Sequence, residues 1–309
     1  MKSKIIVSLF AVCGMVGANG CGGDSSTGTT VDGTTVDGTS SSKTVASKLT
    51  LPQNTMAVAF DIDGDGTLDN RLGGIIQAVM AVGLAPQSAA DTAISTGNLS
   101  LLVDETSTDA TQQSAANAGV KIMLGLKPAT APKYDGTDSY TIDTNTAAGQ
   151  FYGNIAAGVY TSNDPSKTVH PVNVTLELPL VEGQPALALP VVGARITFKA
   201  SADGKTLSAG QINGAIKKTD VDAIIIPAVA TLITAQLKLP NASASLKMFD
   251  TNNDGTVTAA EIMSNGLIAG LLAADVQMYT NGVYAPNPAK TTKDSLSLGL
   301  GFTAVGAKF

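Results

Sequence analysis

"VNVTLELPL", residues Val172–Leu180, carries the pattern that decides the fold class. Val172, Val174, Leu176, Leu178 and Leu180 fall on one side of an extended chain, and Asn173, Thr175 and Glu177 on the other, because successive side chains of a strand alternate between its faces. One apolar face and one polar face imply antiparallel pairing with one side in the core. The same two-residue beat runs through Phe151-Gly153-Ile155-Ala157-Val159, Ala194-Ile196-Phe198-Ala200 and Leu296-Leu298-Leu300-Phe302-Ala304. Helical spacing replaces it in two places. Leu72, Ile75, Ile76, Val79 and Met80 form one stripe; Val221, Ile224, Ile225, Ala228, Val229 and Leu232 form another behind a capping Thr219, with Pro227 expected to kink or divide that helix. The pattern predicts a β-rich α+β fold, an antiparallel sheet or sandwich partly covered by helices near residues 70–95 and 220–275.

The chain has 309 residues, 44% of them apolar and only 14% charged, which is enough for a sizeable core. Lys2 and Lys4 precede an apolar run from Ile5 to Ala18 that is too short to span a bilayer comfortably. Ala18-Asn19-Gly20-Cys21 resembles a bacterial lipoprotein cleavage box. That resemblance implies a signal peptide over residues 1–20 and a lipidated, mature N-terminal Cys21. Cys13 would leave with the signal, so no disulfide is available. The stretch from Gly22 to Lys48 has almost no large apolar side chains and repeats VDGT at Val31 and Val36; residues 21–54 are expected to be a disordered Ser/Thr/Gly tether. Nothing marks a boundary after it, so residues 55–309 are expected to form one domain. Without Lys2 and Lys4 the chain holds 17 basic against 25 acidic residues, a net charge of −8, which argues against nucleic acid as a partner.

A second decisive stretch is "FDTNNDGTVTAAE", Phe249–Glu261. Calcium takes six to eight oxygen ligands, and a tight loop presents them when ligands alternate around a glycine turn. Asp250, Asn252 and Asp254 occupy positions one, three and five, with Gly255 at six. The carbonyl of Thr256 serves at seven, Thr258 acts through water at nine, and Glu261 clamps at twelve. The spacing resembles the EF-hand loop, with Leu246 and Phe249 suited to an entering helix, and Ile262, Leu267 and Leu271 to a leaving one. "DIDGDGTLDNRL", Asp61–Leu72, repeats the first half of the design with Asp61, Asp63, Asp65, Gly66, Thr67 and Asp69, but its twelfth residue is Leu72. It is similar to the calcium loops of thrombospondin type 3 repeats and dockerins. The resemblance implies Ca2+ at both loops, held more weakly at Asp61 for want of the clamping glutamate.

Catalytic patterns are sparse. His170 is the single histidine, beside Pro171 at a strand start, and cannot complete a zinc site alone. No G-x-S-x-G elbow is present. Glu105, Glu177 and Glu182 could be posed as a glycosidase pair, but Glu177 lies on the polar face of a strand, and a solvated face is the reading taken for them. The function expected is that of a non-enzymatic, calcium-binding lipoprotein of the cell envelope, held by lipid to the outer membrane or cell surface (the periplasmic face is possible), with a structural or interaction role and a protein or glycan partner. An extracellular hydrolase with structural calcium and a calcium-dependent glycan-binding module are the alternatives.

Overall fold

Antiparallel pairing runs unbroken around a ring of eight strands in the computed structural model. The structure describes residues 29–31, 34–36, 40–81, 83–146, 148–163, 172–240, 242–287, 289 and 292–309; the signal peptide, Cys21, His170 and Pro171 lie outside the described residues. A short pair, β1 (Thr29–Val31) and β2 (Thr34–Val36), stands apart from the main sheet. The main sheet comprises β3 (Ser40–Thr50), β4 (Leu101–Ser107), β5 (Ser114–Leu124), β6 (Gly149–Ala156), β7 (Val159–Ser162), β8 (Val174–Leu178), β9 (Leu187–Ala200) and β10 (Thr206–Lys217). After the small pair β11 (Tyr279–Thr280) and β12 (Val283–Tyr284), β13 (Ser295–Gly306) completes it.

The order β10-β13-β3-β4-β5-β6-β7-β9 returns to its start because β9 also pairs with β10, from Leu207↔Ala200 to Ala215↔Val192. The sheet therefore closes on itself, and the sandwich alternative does not hold. Closure removes the unpaired edges that an open sheet leaves. The ninth strand, β8, lies along Leu187–Val191 of β9, while β7 pairs with the end of the same strand at Thr197–Lys199.

Two sequence expectations change. The tether does not reach residue 54: Ser40–Thr50 is a central strand, paired with β13 on one side and β4 on the other. Its Ser, Thr and Lys side chains read as linker, while Ala46 and Leu49 are buried inward and Val45 against Leu102 and Met123 on the other face, a pattern too slight to show until both neighbours cover it. The beat Phe151–Val159 spans two strands, because Ala157 and Gly158 turn the chain with φ of 51° and 75°. Successive positive φ values match the twist of a two-residue hairpin.

The helices sit in two insertions of the ring. Between β3 and β4 lie α1 (Arg71–Ala81) and α2 (Pro86–Ser95). Between β10 and β13 come α3 (Lys218–Asp220), a π turn (Val221–Ile225) and α4 (Ile226–Leu237), then α5 (Ala244–Lys247), α6 (Ala259–Ser264) and α7 (Gly266–Leu271). The π turn falls just ahead of Pro227, where the ring of proline denies the helix one donor and crowds the preceding turn.

Val103, Val120, Phe151, Ile196 and Ile212 fill the ring interior, with Tyr160 stacked on Phe198 at 5.1 Å between centroids. An outer cluster of Ile62, Val192, Ala215, Val276 and Met278 sits on the other face of β9 and β10. Helices α1, α4 and α6 meet strand ends around an apolar cavity of about 70 Å³, lined by Ile76, Leu189, Val229, Phe249, Ile262 and Leu296 among others. Each acidic loop thus leads into a helix of this layer: Asp61–Asp69 into α1, Asp250–Thr258 into α6.

Candidate metal centre

Both acidic loops fold through the same local chemistry. In the first, Asp61 Oδ1 accepts the amides of Gly64 (2.8 Å) and Asp65 (3.0 Å), and Oδ2 accepts that of Gly66 (2.9 Å). In the second, Asp250 Oδ1 accepts from Asp254 (3.0 Å) and Oδ2 from Gly255 (2.8 Å). Asp65 and Asp254 then each accept the amide two residues on, from Thr67 and Thr256. Gly66 and Gly255 take φ of 83° and 80°, a backbone that side-chain-bearing residues disfavour. The shared D-x-x-x-D-G-T frame is an aspartate organising the amides that follow it.

Beyond that frame the loops diverge. One carboxylate oxygen from each of Asp61, Asp63, Asp65 and Asp69 lies within 4.8 Å of the others. Ile62, packed on the outer wall of the barrel, drags its neighbour inward, and Asp63 is only 3% exposed with neither oxygen hydrogen-bonded among the described residues. Lys293 Nζ stands 3.8 Å from Asp63 Oδ2. Asp69 is 8% exposed and closes the loop by exchanging backbone bonds with Phe60. Burial pushes its carboxyl up to about 6, against a lowering bond from the Ile62 amide, with repulsion from Asp63, Asp275 and Asp61 adding to the rise. A buried carboxylate without a hydrogen-bond donor, as Asp63 is, is costly, and four carboxylates this close repel one another unless a cation lies among them. The cluster can hold a metal ion.

At the second loop the acids are otherwise engaged. Glu261 Oε1 accepts from the amide and hydroxyl of Thr251, each at 3.0 Å, and Oε2 from the amide and hydroxyl of Thr258, each at 2.9 Å. Thr258 and Glu261 form a capping box that starts α6. These bonds, Thr258's foremost, hold the Glu261 carboxyl down to about 2. Asn252 donates to Asp254 at 2.9 Å. The flanking helices α5 and α6 have four and six residues, so the long paired helices of an EF-hand are not formed. Val257, the position-eight residue, exchanges backbone bonds with the Thr234 hydroxyl of α4. The loop expected to bind more weakly is therefore the one whose carboxylates are already gathered.

The first loop is mounted on the barrel by two buried amides. Asn70 donates to the carbonyls of Ala57 and Gly299 and accepts the Gly299 amide at 3.0 Å. Asn213 of β10 donates to the carbonyl of Val58 at 2.8 Å. Asp275, behind Asp69, accepts the amide and the hydroxyl of Ser297 on its two oxygens. Neither Asn213 nor Lys293 carries a sequence signal that links it to the loop, since both lie far from it in the chain.

Of the three glutamates, Glu182 is exposed and Glu177 is half-buried, its carboxyl raised by burial and then by Asp143. Glu105 departs from the solvated reading. It shares the inward face of β4 with Val103, is 1% exposed, and has no hydrogen-bond partner on either oxygen among the described residues; the nearby Tyr160 hydroxyl has none there either. Burial pushes Glu105 up to about 8. Comparison with protein-family models, curated proteins and solved structures finds no match to the chain.

Proposed function

We propose that this is a non-enzymatic, calcium-binding protein of the cell envelope, carried on a lipid at Cys21, whose barrel has a structural or interaction role. Asp61, Asp63, Asp65 and Asp69, with the Thr67 carbonyl, are the main ligands; Asp250, Asn252, Asp254, Thr256, Thr258 and Glu261 are the second set. The observation that carries the reading is Asp63, a fully buried carboxylate aimed into an acid cluster with no hydrogen bond. An all-oxygen, carboxylate-rich set suits a hard cation, and a loop of this kind suits Ca2+ more than Mg2+, which keeps much of its water. The ion acts as a staple, joining the loop that starts α1 to the outer wall of the barrel.

Thermal melting tests this. For a site with a dissociation constant of ~0.1 mM, about 1 mM calcium adds about 1.4 kcal/mol, or roughly 3–5 °C in a chain of this size. Wild type should show that rise over chelator. Asp63→Asn, combined with Glu261→Gln to silence the second loop, should show none, while melting no lower than Glu261→Gln alone in chelator because the buried charge is gone. An equal calcium increment in both proteins would defeat the assignment of Asp63.

A further inference from the structure

We propose that Lys293 is a built-in competitor for the cation: its ammonium neutralises Asp63 when the loop is empty, and must withdraw for a divalent ion to enter. The inference rests on the reading of the Asp61 loop as a cation site and concerns how that site is regulated. Asp63 is sealed from solvent, so its charge requires a partner. Lys293 supplies one at 3.8 Å, beyond hydrogen-bond range, through a side chain that is 30% exposed. It is a counter-charge and not a locked ion pair. A long, flexible lysine stem with its head near water withdraws at little cost.

The backbone beneath it is fixed. Asp294 accepts the amides of Met278 and Tyr279, each at 2.9 Å, and its own amide donates to Val276. The side chain can therefore swing without moving the segment. A monovalent ion gains no charge over the ammonium it displaces, whereas a divalent ion does, so Lys293 raises the threshold for occupancy and favours divalent cations.

Calorimetric titration with calcium chloride tests this in a Glu261→Gln background. Lys293→Met should bind calcium about tenfold more tightly, from loss of a like charge beside the ion, and should melt lower than its parent in chelator. Lys293→Arg should keep the parent's affinity. Unchanged affinity and unchanged melting in Lys293→Met would overturn the competitor role while leaving the cation site intact. Weaker binding would overturn it too, by making Lys293 a support of the loop. Absence of saturable binding in parent and variant alike would instead remove the cation reading on which the proposal stands.

Discussion

Glu105→Gln is expected to stabilise the protein at pH 9 and to leave it almost unchanged at pH 4. In the folded state burial raises this carboxyl from 4.5 to about 8, so the folded chain holds a proton there that the unfolded chain releases above pH 4.5. Stability is then fully present below the unfolded value and is lost as pH rises through the folded one. A shift of that size corresponds to on the order of 3–5 kcal/mol between the two ends of the window. Glutamine keeps the shape of the protonated acid without a charge to expose, so its advantage should grow between pH 4.5 and 8. Urea unfolding of both proteins at pH 4, 7 and 9 measures it. Wild-type and variant stabilities that run parallel across that range would mean that Glu105 is ionised in place and paired in some other way.

Gly299→Ala is the second large effect. A Cβ at this position would lie 2.1 Å from the Val58 carbonyl oxygen, 2.6 Å from Asn213 Nδ2 and 3.1 Å from Asn70 Nδ2. Two of those atoms are the amides that hold the first acidic loop, and the third is backbone three residues before Asp61. The methyl group can be accommodated only by lifting the loop from the wall. A loss of roughly 2–4 kcal/mol is expected, together with weakened calcium binding at Asp61–Asp69. Gly301→Ala is the control: its nearest contact would be the Thr50 side chain at 3.2 Å, and its cost should be much smaller. Equal melting and equal binding in wild type and Gly299→Ala would show that the mount is not what positions the site.

Strands whose alternation joins large apolar residues to charged or amide ones were legible: Val174–Leu178 and Ser295–Gly306 are strands in the sheet. So were the helices that start at Arg71 and Lys218. What hid was structure that depends on partners. Of Ser40–Thr50 only Ala46 and Leu49 join the interior cluster, and β4 mixes Asp104 and Glu105 into its beat, so neither shows a clear apolar face. Closure of the ring depends on β9 meeting β10 through two register shifts, which no local pattern encodes. At the site, the spacing of Asp61, Asp65, Gly66 and Thr67 was readable because the bonds that shape the turn are local. The burial of Asp63 was not, since it follows from Ile62 packing against Val192 and Ala215 on a wall formed much later in the chain. The engagement of Glu261 by Thr251 and Thr258 was hidden for a different reason: the pattern that marks a clamping glutamate also marks a capping box.

The Asp61 loop, with its buried Asp63, is the calcium site proposed above. An anomalous difference map from crystals grown in millimolar calcium, with the same crystals back-soaked in a lanthanide, tests it most directly. A peak is expected enclosed by the carboxylates of Asp61, Asp63, Asp65 and Asp69, with Lys293 turned away from Asp63. A map with no peak there, and Lys293 still beside Asp63, would contradict it even if an ion occupied the loop from Asp250 to Glu261.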